Sequence, residues 1–300
     1  MGLAESLGLQ PEIKRVRMRT PWRLLSPYLH IGLGCAFENT ASIAPPWPDL
    51  LIASGRLSVP ASLYVREQSA RTGRRTFTVQ IQDPVIAPSN FDVVIAPLHD
   101  ALEGPNVIST IGALHRVEPD RLAREAEAFA SRVAGLSRPY VGVLVGGSNA
   151  SYRMGADEIA KLVSDLRRLA SRMGASLLVT PSRRTGEANT LLLKSALSEM
   201  PAFVWNGDGA NPYFGILGLS DFLLVTVDSV NMISEACASG KPVYLYDLPG
   251  GSQKSARFRD SLIARGLVRD FTIPVVPYPA QTLNEMASVV AVIREKIQTA

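Results

Sequence analysis

The 300-residue sequence predicts an α/β protein: two Rossmann-like doubly wound domains facing across a cleft, with the first strand of the N-terminal domain missing. Three observations predict it. Apolar strand-like runs alternate with runs of helical period almost from end to end. The alternation divides into two series at Ser137-Arg138-Pro139, which reads as a linker. In the second series, strand after strand runs into a small polar loop that opens a helix.

In chain order, Gly2–Leu9 reads as the last turns of a helix running straight into a strand, Ile13–Met18. A doubly wound domain begins with a strand and loop before its first helix, so the natural chain is expected to be longer. Ser26–Pro48 is rich in Gly and Pro and reads as loop with a short helix. Strands are expected at Leu50–Ala53, Thr76–Gln82, Val93–Ala96 and Asn106–Ser109, with a helix at Ser62–Arg71 announced by Pro60. Val117–Leu136 has the period of an amphipathic helix starting at Glu118 or Pro119.

The second series runs strand Tyr140–Val145, helix Ala156–Met173, strand Ser176–Thr180, helix Glu187–Ser198 and strand Ala202–Trp205. It continues with helix Tyr213–Leu219, strand Phe222–Val225, helix Ser229–Ala238 and strand Val243–Tyr246. Gln281–Ile297 is helical by period. The expected domains are therefore residues 1–136 and 137–280, with 281–300 a C-terminal helix packing back on the first.

Composition narrows the function classes. The chain is 46% hydrophobic and 19% charged, which suits sizeable cores and excludes a disordered chain. A net charge of +4 permits an anionic ligand and demands none. No Lys/Arg run interleaves with aromatics, so nucleic acid is not an expected partner. Cys35 and Cys237 form no CxxC pair and group with no His, so no metal site is expected and the chain reads as a reduced, cytoplasmic protein. No apolar run reaches the length of a membrane span.

Ligands in open α/β sheets bind beyond the strand carboxyl ends. Three second-series loops fall there. Gly146-Gly147-Ser148-Asn149 follows VGVLV, and paired glycines admit close backbone approach to a ligand. Thr180 ends SLLVT, Ser182, Arg183 and Arg184 follow it, and two arginines beside hydroxyls suit a diphosphate. Asp228, Ser229, Val230, Asn231 and Met232 open the third helix, whose free N–H groups and dipole suit a phosphate; Asp228 or Ser229 can equally be its cap. Glu235, seven residues after Asp228, lies on the same side of that helix and can accept from a ribose. Pro249–Arg259 adds Lys254 in a loop that either closes over phosphates or lies mobile on the surface. In the first series, Asp83, His99 and Asp100 follow strands, and a His beside an acid is a workable general base. No Walker A motif, nucleophile elbow or metal-ligand spacing occurs.

The motifs VQIQDP (Val79–Pro84), FDVVIAPLHD (Phe91–Asp100), NVISTIGALHRV (Asn106–Val117) and VGGSNASYRM (Val145–Met154) resemble those of a family named for a plant mitochondrial-fission factor. So do TPSRRTG (Thr180–Gly186), NPYFGILGLSDFLLVTVDSVNMISEA (Asn211–Ala236) and SARFRDSLIARG (Ser255–Gly266). The wider resemblance is to the GT-B nucleotide-sugar glycosyltransferases. It implies a donor nucleotide on the second domain, with Ser229 and Glu235 matching that group's small residue and Glu. Met232 stands where a hydroxyl is usual.

Three readings stay open. In the first, a metal-independent glycosyltransferase needs no cofactor, binds a nucleotide diphosphate sugar, and acts on a glycan or lipid-linked acceptor. The second is a non-hydrolysing nucleotide-sugar 2-epimerase. The third is a non-catalytic adaptor on the same fold. Trp22, Leu24, Leu25 and Tyr28 beside Arg17, Arg19 and Arg23 are a candidate for peripheral contact with the inner face of the membrane.

Overall fold

The computed structural model describes residues 1–299, except for the side chains of Thr40 and Ser42. The chain forms two compact units, the first made of Met1–Ile111 with the segment from Glu285 onward, the second of Gly112–Asn284.

The first unit starts with two short helices, α1 (Gly2–Ser6) and α2 (Trp22–Leu25). Its sheet follows: β1 (Leu50–Ser54), then α3 (Val59–Arg71), β2 (Phe77–Ile81), β3 (Val93–Pro97) and β4 (Val107–Thr110). All pairings are parallel and the order is β1-β2-β3-β4, without a reversal. Only β1 and β2 are joined through an α-helix; the other connections are loops with 3₁₀ turns. Two core clusters sit in this unit, one around Phe37 and Val65, the other around Val59, Phe91 and Val94. The expected strand at Ile13–Met18 does not form. Only Met18 bridges, antiparallel to Phe37, because no neighbouring strand offers that segment a full ladder.

The second unit contains α4 (Pro119–Ala130), β5 (Tyr140–Val145), α5 (Ala156–Met173), β6 (Ser176–Pro181), α6 (Glu187–Ala196) and β7 (Ala202–Val204). It continues through α7 (Tyr213–Leu219), β8 (Phe222–Thr226), α8 (Val230–Ala238), β9 (Val243–Tyr246), α9 (Gln253–Ala264) and β10 (Arg269–Asp270). The six parallel strands run in the order β10-β9-β8-β5-β6-β7. This is the doubly wound order, with its reversal between β5 and β8. Strands buried on both faces must be apolar throughout. Val141, Val143, Leu144, Leu177, Leu178, Leu223, Leu224 and Val225 are accordingly buried. Against them, α5 lays Ile159, Leu162, Val163, Leu166 and Leu169, spaced at helical period.

The boundary between the units lies at 111/112 rather than near 137. Two local facts explain the difference. Helix α4 packs on α7, where a Cβ at Gly215 or Gly218 would run into Phe129 or the Leu122 carbonyl. The apparent linker is also pinned within the second unit: Arg138 pairs with Asp221, whose other oxygen accepts the Tyr140 N–H at 2.7 Å. The C-terminal helix, α10 (Met286–Gln298), falls in the first unit, where Arg294 reaches the Leu7 carbonyl at 3.3 Å. Pro249–Arg259 is not all loop. Ser252 caps α9 by accepting from the Ser255 N–H at 3.1 Å.

Candidate functional site

The carboxyl ends of β5 and β8 flank the reversal point of the second sheet, and a polar network is built there around one carboxylate. Asp228 has a side chain with no solvent exposure. Its Oδ1 accepts from the Thr226 hydroxyl at 2.6 Å. Its Oδ2 accepts from the Gly147 N–H at 3.0 Å and from the Arg184 guanidinium at 2.5 Å. The Thr226 Oγ1 also accepts from the Gly146 N–H at 2.8 Å. A buried charge must be paired and hydrogen-bonded to persist, and this one is.

The glycines are dictated by that closeness. A Cβ on Gly146 would sit inside the Asp228 carboxylate, and one on Gly147 inside the Arg184–Thr185 backbone. Thr185 completes the seam: its hydroxyl donates to the Gly146 carbonyl and accepts from the Ser182 N–H at 3.0 Å.

The structure gives several of the residues singled out from sequence partners within the protein. Asp228 is a buried organiser of three loops, with both oxygens engaged by protein groups. Ser229 is the helix cap, accepting from the Met232 N–H at 3.4 Å. Ser148 and Asn149 shape their own loop. Ser148 Oγ accepts from the Met154 N–H at 2.9 Å, and Asn149 Oδ1 accepts from the Ser151 and Tyr152 N–H groups at 2.8 and 2.9 Å. Asn149 also donates to the Asp228 carbonyl at 3.0 Å. Ser182 Oγ accepts the Arg184 N–H at 3.2 Å, and Thr180 is a buried strand residue.

Other groups at this edge are open to solvent. Arg184 keeps 44% of its side chain exposed while one arm is held by Asp228. Arg183 is exposed, as are Asn231 and Lys254; Val230 and Met232 are half-buried. The loop after β9 joins the edge, because Gly250 bridges antiparallel to Tyr152 and the Gly251 N–H donates to the Ser151 carbonyl at 2.7 Å. Lys254 sits in the first turn of α9 beyond it.

Glu235 lies two turns into α8 and is half-buried, with Oε2 accepting from the Tyr213 hydroxyl at 2.6 Å. Burial raises its pKa above the ordinary carboxylate value, against the opposing effects of the Tyr213 hydrogen bond and the Arg121 charge. Burial beside this carboxylate likewise pushes Tyr213 well above its ordinary pKa. Sequence reasoning missed Tyr213 and Arg121, which come from α7 and α4. No spacing in the sequence ties them to Glu235.

In the first unit, Asp83 accepts the Val85 N–H at 2.7 Å in a tight turn after β2. His99 Nε2 lies 3.5 Å from Asp100 Oδ1, and both side chains are nearly fully buried. Three non-glycine residues take left-handed backbone at this edge: Gln82 (φ 72°), Val85 (φ 65°) and Ala101 (φ 54°). For a β-branched valine that is a strained conformation.

Among the described residues, no group of three or more His, Cys, Asp or Glu is placed to hold a metal ion, and no helix is long and apolar enough to cross a membrane.

Comparisons with known proteins agree with this architecture. Over 97% of this chain and 88% of its own, the UDP-GlcNAc 2-epimerase from Methanocaldococcus jannaschii superposes with a TM-score of 0.51 at 11% identity. A putative UDP-N-acetylglucosamine 2-epimerase from Listeria monocytogenes gives 0.55 at 10% identity, covering 99% and 86%. At these identities the likeness shows the fold, an α/β architecture of the GT-B type. In sequence, Mitochondrial fission protein ELM1 of Arabidopsis thaliana is 32% identical over 248 residues, 75% of this chain and 57% of that protein. The chain thus spans little more than half of the plant relative. Uncharacterized protein RP120 of Rickettsia prowazekii (strain Madrid E) is 24% identical over 285 residues, 82% of this chain and 79% of that one. The family model described as Mitochondrial fission ELM1 matches residues 1–297, and the chain belongs to that family.

Proposed function

We propose that the second unit binds a nucleotide diphosphate sugar at the β5/β8 edge and that the protein is a metal-independent glycosyltransferase. The observation that carries the reading is the half-exposed guanidinium of Arg184, fixed from behind by buried Asp228 beside exposed Arg183. A clamped guanidinium loses little freedom on meeting a phosphate, and planar N–H pairs suit its oxygens. The capped N-terminus of α8 adds oriented N–H groups and a positive dipole end.

In this reading Glu235, held by Tyr213, accepts from the ribose hydroxyls. Arg183, Arg184 and the α8 N-terminus stabilise the diphosphate as it leaves and gains charge. The acceptor hydroxyl must also lose its proton to a base as the new bond forms. The solved epimerases carry UDP-GlcNAc in their names, which makes a uridine diphosphate sugar the first donor to try.

The test is a thermal-shift panel of nucleoside diphosphates and their sugar conjugates on wild type and Glu235→Ala. A ligand that binds the native state raises the midpoint. The proposal expects a shift with one diphosphate family that Glu235→Ala loses while staying folded. No shift with any member refutes the binding site. Turnover of a sugar nucleotide without acceptor replaces the transferase with an epimerase.

A further inference from the structure

A loop in the first unit presents an apolar surface on a basic base. Leu24, Leu25, Tyr28 and Ile31 are 76%, 52%, 69% and 81% exposed. Single exposed apolar residues are ordinary, but four large ones within eight residues are not.

The loop is not a loose strand end. The Trp22 indole N–H donates to the Ile31 carbonyl at 2.8 Å and closes it, while the Trp22 ring packs against the core cluster around Phe37. Its midpoint is anchored by buried Ser26 and Pro27, with the Ser26 hydroxyl donating to the Arg56 carbonyl at 3.2 Å. At its foot the Arg19 N–H donates to the Ala36 carbonyl at 2.8 Å and the Glu38 N–H to the Arg17 carbonyl at 2.9 Å. A loop fixed at both ends and in the middle holds these apolar side chains outward.

The charge around it is one-sided. From Ile13 to Phe37 there are five Lys or Arg and no Asp or Glu. The whole chain has 31 basic and 27 acidic residues, so the remainder holds 26 and 27, a net of −1 against the segment's +5. Lys14, Arg15, Arg17, Arg19 and Arg23 are all exposed; Lys14 pairs with Glu12 at 2.5 Å, which leaves the four arginines as the cations of this face. Exposed apolar side chains on a segment rich in exposed arginines match a lipid surface with anionic headgroups. The apolar side chains enter the acyl boundary and the cations meet the phosphates.

We propose that the Trp22–Ile31 loop docks the protein on an anionic membrane surface. The experiment is co-sedimentation of the purified chain with vesicles of phosphatidylcholine alone and of 70:30 phosphatidylcholine:phosphatidylglycerol, at low and at 0.5 M salt. The expected result is binding to the anionic vesicles only, weakened at least tenfold by high salt. The triple variant Leu24→Ser/Leu25→Ser/Ile31→Ser, which touches only exposed side chains, is expected to lose at least tenfold in binding with an unchanged melting midpoint. The variant Arg15→Gln/Arg17→Gln/Arg19→Gln/Arg23→Gln is expected to lose a similar factor.

A triple-serine variant that binds like wild type overturns insertion and leaves simple charge adsorption. Equal binding to both vesicle types overturns the anionic preference. Binding to heparin with none to vesicles assigns the cations to a soluble polyanion. A concentration-dependent dimer abolished by the triple variant assigns the face to a second copy. Any of these results ends the proposal.

Discussion

Arg184 and Asp228, 44 residues apart in sequence, meet at 2.5 Å with the carboxylate wholly out of solvent and the guanidinium half in it. The pair therefore faces two ways, holding the β5/β8 edge together from inside and presenting a charge outside. The neighbouring Arg183 is exposed and makes no ion pair among the described residues.

Two adjacent arginines should then behave differently. Arg184→Ala strips a buried carboxylate of its counter-ion and is expected to destabilise the fold by about 2–4 kcal/mol. Arg183→Ala is expected to change stability by less than about 0.5 kcal/mol. Both should weaken nucleoside diphosphate binding. Urea denaturation separates the stabilities and calorimetric titration the affinities.

Gly147→Ala places a methyl group against the Arg184–Thr185 backbone, which cannot move without parting the seam. A loss of about 2 kcal/mol or more is expected from overpacking. Ala at exposed Gly135, where a Cβ meets nothing within 4 Å, is the control and should be nearly silent in the same denaturation series.

Two carboxylates should give opposite pH signatures. The pKa of Glu235 is raised by burial, so its contribution to stability is fully present below the unfolded-state pKa and lost as pH rises through the raised folded value. Glu235→Gln should therefore be more stable than wild type at neutral pH, with the gain vanishing in acid. Asp92 is the reverse. Burial raises its pKa, but hydrogen bonds from the Thr78 N–H, Arg75 and the Thr78 hydroxyl outweigh this and lower it overall. Its stabilisation is present above the unfolded-state pKa and lost as pH falls through the lowered one. Asp92→Asn should lose stability at neutral pH and match wild type in strong acid, as read from denaturation midpoints across pH.

The two thiols should differ in reactivity. Cys35 is exposed, whereas Cys237 is fully buried in α8 and burial pushes its pKa up to about 12. The thiolate is the reactive form. A disulfide reagent should titrate one thiol in the native protein and two in denaturant; two fast native thiols would contradict the buried α8.

The strands and helices of the second unit were legible because each carries its own period and punctuation. Ala156–Met173 and Tyr213–Leu219 form over the bounds that period predicts. The apolar–basic alternation of Ile13–Met18 suggests a strand but says nothing about whether a neighbouring strand exists to pair with it. At the candidate site, the three loops meet as their places after successive strands imply, but the partners of their side chains do not follow from local sequence. Asp228 reads as a cap or ligand contact because its neighbours in sequence are a helix start. Its actual partners, Gly147 and Arg184, lie on loops 81 and 44 residues away. Tyr213 was invisible for the same reason: its hydroxyl serves a residue 22 positions later on another helix.

The most direct test of the account is hydrogen–deuterium exchange on the full chain with and without a saturating uridine diphosphate sugar. Slowed exchange is expected to concentrate in residues 146–155, 180–186 and 226–236. Binding with protection elsewhere, or exchange that the ligand leaves unaltered throughout, would contradict the assignment of the donor site to the β5/β8 edge.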